Sequence, residues 1–353
     1  MGESTEETPK KDGPAVRAWL YGLCVLIFAM ILVGGATRLT DSGLSITEWQ
    51  PIIGIIPPMS DAAWQEAFEK YRQIPEYQIV NKGMSLSAFK FIYWWEWAHR
   101  FLGRMIGFAF LIPFLYFLAR RQLSRELRPK LIIMFVLGGL QGALGWYMVK
   151  SGLVDRTDVS QYRLAAHLSA AVLIFGYIFW VATRVGTGSA QSSGVPPALR
   201  ISAVGLMVAV FIQIALGAFV AGLDAGQGYN SWPLMDGAII PSGLGAMSPW
   251  YLNLFENALT VQFNHRMVAY LIILWALIHA GLVITRVQPG PLLVGAALVA
   301  VTTLVQACLG IATLLTHVQL DLALAHQGLA IILFAIILQH LSRLAPSPVQ
   351  DRR

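Results

Sequence analysis

Trp95-Glu96-Trp97-Ala98-His99-Arg100-Phe101-Leu102-Gly103-Arg104 opens a run that stays apolar to Leu118. The run from 91 to 118 exceeds the ~20 residues that cross a bilayer core of about 30 Å. Its charged groups and its one histidine all fall in the first half, so they sit towards one surface. Seven further runs qualify as spans, at 18–37, 131–149, 162–183, 200–222, 258–285, 292–315 and 322–342.

The whole chain agrees with that reading. Of its 353 residues, 56% are hydrophobic and 12% charged. Its mean hydropathy is +0.61. A soluble domain carries about twice that share of charge, and disorder needs far less apolar surface. The formal charge of +6 is expected of basic cytoplasmic loops and implies no nucleic acid. Lys10, Lys11, Arg17, the 120–130 cluster, Arg184, Arg200, Arg286, Arg343, Arg352 and Arg353 fall on one side. That side is predicted cytoplasmic, with both termini, in a bacterial inner membrane. The polar stretch 1–14 is no signal peptide. Cys24 and Cys308 lie inside apolar runs, and no CxxC or CxxCH occurs. This removes the usual signatures of thiolate metal sites and covalent haem. In the outer loop 38–90, Ser60 can cap a helix reaching Gln73, with Trp64, Ala67, Phe68 and Tyr71 on one face. That face lies either on the outer leaflet or against the protein itself.

The chain is written twice. Gly34, Asp41, Gly43, Trp49 and Gly54 match Gly217, Asp224, Gly226, Trp232 and Gly237. Ala98-His99-Arg100 matches Asn264-His265-Arg266, Gln141 to Gly145 matches Gln306 to Gly310, and the run ending at His167 matches that ending at His326. The expected fold class is an all-α integral membrane protein, with eight spans as two tandem parallel-repeat four-helix bundles. The expected division is a cytoplasmic tail 1–17, a first bundle 18–183, a linker 184–199, a second bundle 200–342 and a tail 343–353.

Four of the seven histidines sit at repeat-matched places, near the outer end of spans two, four, six and eight. Ionisable groups in a membrane are costly and rare without a role. Zinc asks for four ligands, and none beyond the two histidines accompanies either pair. Opposed imidazoles suit the two axial positions of haem iron, so His99 with His167 and His265 with His326 are the predicted pairs. Gly103, Gly107, Gly138, Gly139, Gly142 and Gly145 either admit a flat macrocycle or serve helix contact. Arg100, Arg104 and Arg266 either pair with haem propionates or anchor the helix ends. Glu96, three residues before His99, is matched by Gln262, which cannot titrate. This asymmetry suggests two unlike sites with Glu96 catalytic; helix-start stabilisation is the alternative. His279 and His340 each follow a predicted ligand by 14 residues, about four turns. They would suit a b-type electron-transfer cytochrome with stacked haems, the rival reading. The equivalent first-half positions are Pro113 and Val181, so structural roles are favoured. His317 is expected to face solvent. A transporter, suggested by the repeat alone, would show broken-helix pairs that are not evident.

Together these residues resemble the haem A synthase family. The resemblance is carried by Gly34 to Gly43, Ser45 to Trp49, Glu96-Trp97-Ala98-His99-Arg100, Gln141 to Gly145, His167, Asn264 to Arg266, Gln306 to Gly310 and Leu324 to His326. It implies oxidation of the C8 methyl group of haem O to a formyl group, giving haem A for terminal oxidases. It places substrate haem in the amino half and haem b in the carboxyl half, and makes the motif acid, Glu96 here, important for catalysis. The implied partners are membrane lipid, haem O handed over by haem O synthase, oxidase assembly factors and an electron acceptor that the sequence does not identify. The long first loop resembles the alphaproteobacterial and mitochondrial branch. Loop cysteine pairs found in some members have no counterpart here.

Overall fold

The computed structural model describes residues 12–49, 53–154, 157–185 and 195–344. Most of the two tails and the middle of the linker therefore lie outside the described residues. All eight expected spans are helices: α1 (Pro14–Leu39), α4 (Leu86–Ala119), α5 (Leu127–Val154), α6 (Gln161–Arg184), α7 (Pro197–Gly222), α8 (Ala258–Arg286), α9 (Pro291–Leu315) and α10 (Leu320–Leu344). The loop between α1 and α4 adds α2 (Asp61–Tyr71) and α3 (Pro75–Ile79). No β-strand occurs among the described residues. Eight helices of this length and hydropathy make a multi-pass membrane protein.

Most of the spans run a few residues past their apolar stretches because capping chemistry lies there. Proline opens α1, α7 and α9, where its missing N–H costs no hydrogen bond. Ser85 Oγ caps α4 by accepting from Ala88 N at 3.2 Å, and Asn257 Oδ1 caps α8 through Leu259 N at 3.1 Å. Beyond α1 and α7 the matched residues Asp41 and Asp224 both take the left-handed conformation, at φ 47° and 49°.

Within the first half, α1 packs on α4 and α6, and α5 packs on α6. In the second half, α7 packs on α8 and α10, and α9 on α8 and α10. The halves meet along α1, α6, α7 and α10. The main apolar core fills that seam, with Leu20, Ile27, Val172, Phe175, Leu206, Ile331 and Phe334 buried.

Helix α2 starts where expected, with Ser60 Oγ accepting from Ala63 N at 3.2 Å. It ends at Tyr71, short of Gln73. Its apolar face does not lie open to a leaflet. Trp64, Phe68 and Tyr71 are buried against Phe89 and Tyr93 of α4 and against Leu44 and Val159. The helix is therefore a cover over the end of the first half at which α4 begins.

Candidate functional site

Each of the four matched histidines faces a glycine on a neighbouring helix. A methyl group at Gly34 would lie 2.8 Å from Cε1 of His99, and one at Gly145 would lie 2.9 Å from Cε1 of His167. The corresponding distances are 3.2 Å for Gly217 to His265 and 2.8 Å for Gly310 to His326. Ordinary carbon contacts are about 3.5–4.0 Å, so a side chain at Gly34, Gly145 or Gly310 would displace the ring, and one at Gly217 would crowd it by a few tenths of an ångström. That explains the repeated glycines at 34, 217, 145 and 310. Of the six glycines expected to admit a macrocycle, Gly145 serves a ring instead. Gly107, Gly138, Gly139 and Gly142 border open space, and Gly103 approaches Met30 Cε.

Three of the rings are also gripped by a glutamine. Gln141 Nε2 donates to His167 O at 2.9 Å and lies 3.2 Å from Nδ1. Gln213 does the same for His265, at 2.9 and 3.1 Å. Gln306 repeats it for His326, at 2.9 and 3.1 Å. One amide NH2 thus donates to the backbone carbonyl and also touches the ring. Sequence reasoning matched Gln141 with Gln306 but gave them no role, and it missed Gln213. The signal was present: Gln141, Gln213 and Gln306 each precede a ring-facing glycine by four residues, one helical turn. At the remaining position the sequence reads Met30 before Gly34.

The spacing of the rings discriminates between metal pairs and mere contacts. His265 and His326 have ring centres 6.5 Å apart. Two imidazoles bound to one ion at about 2.0 Å place their centres roughly 6 Å apart, so this pair fits a shared metal. Among the described residues no group of three or more His, Cys, Asp and Glu side chains is placed to hold a metal ion. The fit is therefore to a metal that brings its remaining ligands with it, as iron porphyrin does. His279 and His340 are different. Their Nε2 atoms lie 3.0 Å apart and their ring centres 5.2 Å apart. Nitrogens flanking a metal need about 4 Å, so this buried pair is hydrogen-bonded and leaves no room for iron. Ser202 Oγ holds His279 Nδ1 at 3.0 Å. The stacked-haem rival loses its second site.

Glu96 with Arg100, and Gln262 with Arg266, form clasps on the loops that follow α1 and α7. Glu96 is buried, 3% exposed. Its Oε2 accepts from Ser45 Oγ and Ile46 N, each at 2.7 Å, and its Oε1 from Arg100 Nη2 at 2.6 Å. Arg100 also donates to the carbonyls of Ile46 and Glu48. In the second half, Gln262 Nε2 donates to the carbonyls of Ala225 and Gly228, at 2.6 and 2.8 Å. Its Oε1 accepts from Arg266, which reaches the carbonyls of Tyr229 and Ser231. The acid-for-amide exchange thus matches what each loop presents, N–H and O–H donors in the first and carbonyls in the second. Arg266 keeps its Nε buried without a hydrogen-bond partner. Arg104 is half-buried one turn beyond Arg100.

Two charged features at the same end of the molecule escaped sequence reasoning. Arg38 reaches Asp41, Asp158 and Asp224 at 3.1, 2.7 and 2.9 Å, tying the two halves together. Glu76 of α3 is buried beside Asn81 and Tyr71. Burial first, then the negative charges of Asp41, Glu96 and Asp158, push its carboxyl up to about 8.

The description "Cytochrome oxidase assembly protein" belongs to a family model that matches residues 17–338. The "Heme A synthase" of Parvibaculum lavamentivorans is 53% identical, over 94% of each chain. The chain belongs to the haem A synthase family. Other family members also named "Heme A synthase" are those of Chelativorans sp., 55% identical over 92% of this chain and 90% of its own, and Bradyrhizobium diazoefficiens, 51% identical over 97% and 95%. This haem A synthase family member has its matched histidines, glycines 34, 145, 217 and 310, and both loop clasps inside the matched region.

Proposed function

We propose that this protein oxidises the C8 methyl group of haem O to the formyl group of haem A. The carrying observation is the set of four histidine–glycine stations, arranged as two ring pairs, one of them at metal-sharing distance. His99 and His167 hold the substrate haem, and His265 and His326 hold haem b, which supplies one-electron transfer when bound. The glutamine grips support that division: both rings of the second pair carry one, as suits a resident cofactor, whereas only His167 of the first pair does.

Glu96 is the catalytic carboxylate of this reading. Oxidising a methyl group leaves positive charge to be stabilised and a proton to be removed, and a fixed carboxylate can serve both needs. Its contacts with Ser45, Ile46 N and Arg100 hold the loop over the site at the same time. Arg100, Arg104 and Arg266 provide the positive charge that propionates require, and the unpartnered Nε of Arg266 supports this. The distribution of lysine and arginine supports a bacterial inner membrane, cytoplasmic termini and haem sites near the periplasmic face. Lipid surrounds the spans, haem O synthase supplies the substrate, and an electron acceptor and oxidase assembly factors complete the partners. No nucleic acid is involved.

Mass identification of the tetrapyrroles in purified protein tests the reading. Haem O or haem A together with haem B is expected; haem B alone would leave an electron-transfer cytochrome.

A further inference from the structure

We propose that His99 is the exchangeable axial ligand of the substrate site, and that the macrocycle passes sideways between α4 and α5 when His99 lets go. The proposal rests on the reading of His99 and His167 as the substrate pair. A resident cofactor and a substrate make opposite demands on their ligands, since only the substrate must leave after each turnover.

The four stations answer those demands differently. His167, His265 and His326 are each held at ring and carbonyl by a glutamine one turn before the facing glycine. At His99 the glutamine's place is taken by Met30, at the same offset of 183 residues that relates Gly34 to Gly217. A thioether donates no hydrogen bond. Correspondingly, His99 Nδ1 is buried with no partner. Of the two rings facing the substrate, one is fixed from outside and the other only by packing. Opening the bond between the metal and His99 Nε2 moves neither electron nor proton, and the bond to His167 persists.

Helix α4, which carries His99, and its neighbour α5 pack little against each other and are the least buried spans. Only 11% of the most apolar window of α4 is buried, and 6% of that of α5, against 28% for α8 and 28% for α9 in the second half. Methyl groups added at Gly107 of α4, or at Gly138, Gly139 and Gly142 of α5, would meet no atom within 4 Å. Gly138 and Gly142 lie on the α5 face that carries Gly145, which meets the His167 ring. The outer end is shut instead, by the buried cluster under α2 and by the Glu96–Arg100 clasp. A lipid-soluble macrocycle with an isoprenoid tail matches an opening towards lipid.

The test uses full-length protein in detergent, reduced with dithionite and mixed with carbon monoxide, which binds iron only where an axial ligand departs. Carbon monoxide is expected at one haem per chain. Met30→Gln, which supplies the missing amide, is expected to slow its binding about tenfold, with haem b content as the check on folding. His99→Ala is expected to keep the substrate haem in a five-coordinate, carbon monoxide-binding form, and His167→Ala to lose it. An unchanged rate in Met30→Gln, or retention in His167→Ala with loss in His99→Ala, would overturn the assignment. If neither histidine variant altered haem content or spectrum, the substrate-pair reading itself would fall. For the route, Gly138→Phe with Gly142→Phe is expected to slow uptake of detergent-dispersed haem O at least tenfold while leaving the carbon monoxide rate of loaded protein unchanged. Unaltered uptake would refute passage between α4 and α5.

Discussion

Replacing Gly310 by alanine puts a methyl group 2.8 Å from Cε1 of His326. A relaxed carbon contact needs about 3.5 Å or more, so the ring must retreat by roughly 0.7 Å. It is poorly free to do so, because Gln306 holds the His326 carbonyl at 2.9 Å and Nδ1 at 3.1 Å. Overpacking of this kind costs about 1–3 kcal/mol, while alanine returns up to about 1 kcal/mol of helix propensity. The net loss of roughly 0–3 kcal/mol leaves the fold standing. A metal–nitrogen bond of about 2.0 Å does not tolerate a 0.7 Å shift, so haem b is expected to be lost from folded protein. Gly217→Ala offers an internal comparison. Its methyl would sit 3.2 Å from His265 Cε1, asking for a shift of about 0.3 Å, and most of the haem should remain. Haem per chain from the pyridine haemochrome spectrum, on monodisperse protein, measures both. Full haem b in Gly310→Ala, or a greater loss in Gly217→Ala, would refute the ring-clearance argument.

Other perturbations separate the remaining roles. Glu96→Gln should cut haem A formation by at least about tenfold, through the lost carboxylate and the loss of one of its two acceptor oxygens, which leaves either Arg100 or the Ser45–Ile46 donors facing an NH2 group, with haem b retained; product analysis in cells lacking another source of haem A reads this. Gln262→Glu should weaken the second loop and haem b retention, because a carboxylate would face the carbonyls of Ala225 and Gly228. His279→Leu alone strands its partner and should cost about 1–3 kcal/mol, whereas adding His340→Leu should recover much of that; haem content should stay normal in the double variant. Glu76 binds its proton more tightly folded, with the carboxyl at about 8, than unfolded, near 4.5. The folded state therefore holds more protons between those values, and its stability should fall as pH rises from about 4.5 to about 8. Glu76→Gln should flatten that slope in melting curves taken in detergent.

Some features were legible because they are local. Twenty apolar residues in a row have few places to go but a bilayer, and the eight spans follow. Ser60 and the stripe of Trp64, Phe68 and Tyr71 announce α2, yet what the stripe covers is a contact with Phe89 and Tyr93, and periodicity names no partner. The histidines stood out because titratable groups in apolar runs are scarce. Glu96 was expected on the face of His99, but its carboxylate is claimed by Ser45 and Ile46, about fifty residues earlier. Gln213 was overlooked, since one glutamine in a span is unremarkable until it stands beside a ring.

From the chain alone came the helices, the doubling of the pattern and the four imidazoles at matched places in the repeat, all of which depend on hydropathy, order and residue chemistry along a line. Only the packed structure decided that one histidine couple stands at metal-sharing distance while another touches, that glycine makes way for each ring, and that one ring lacks its amide. Those facts depend on angstrom separations between different helices, which crossing geometry sets and no one-dimensional pattern encodes.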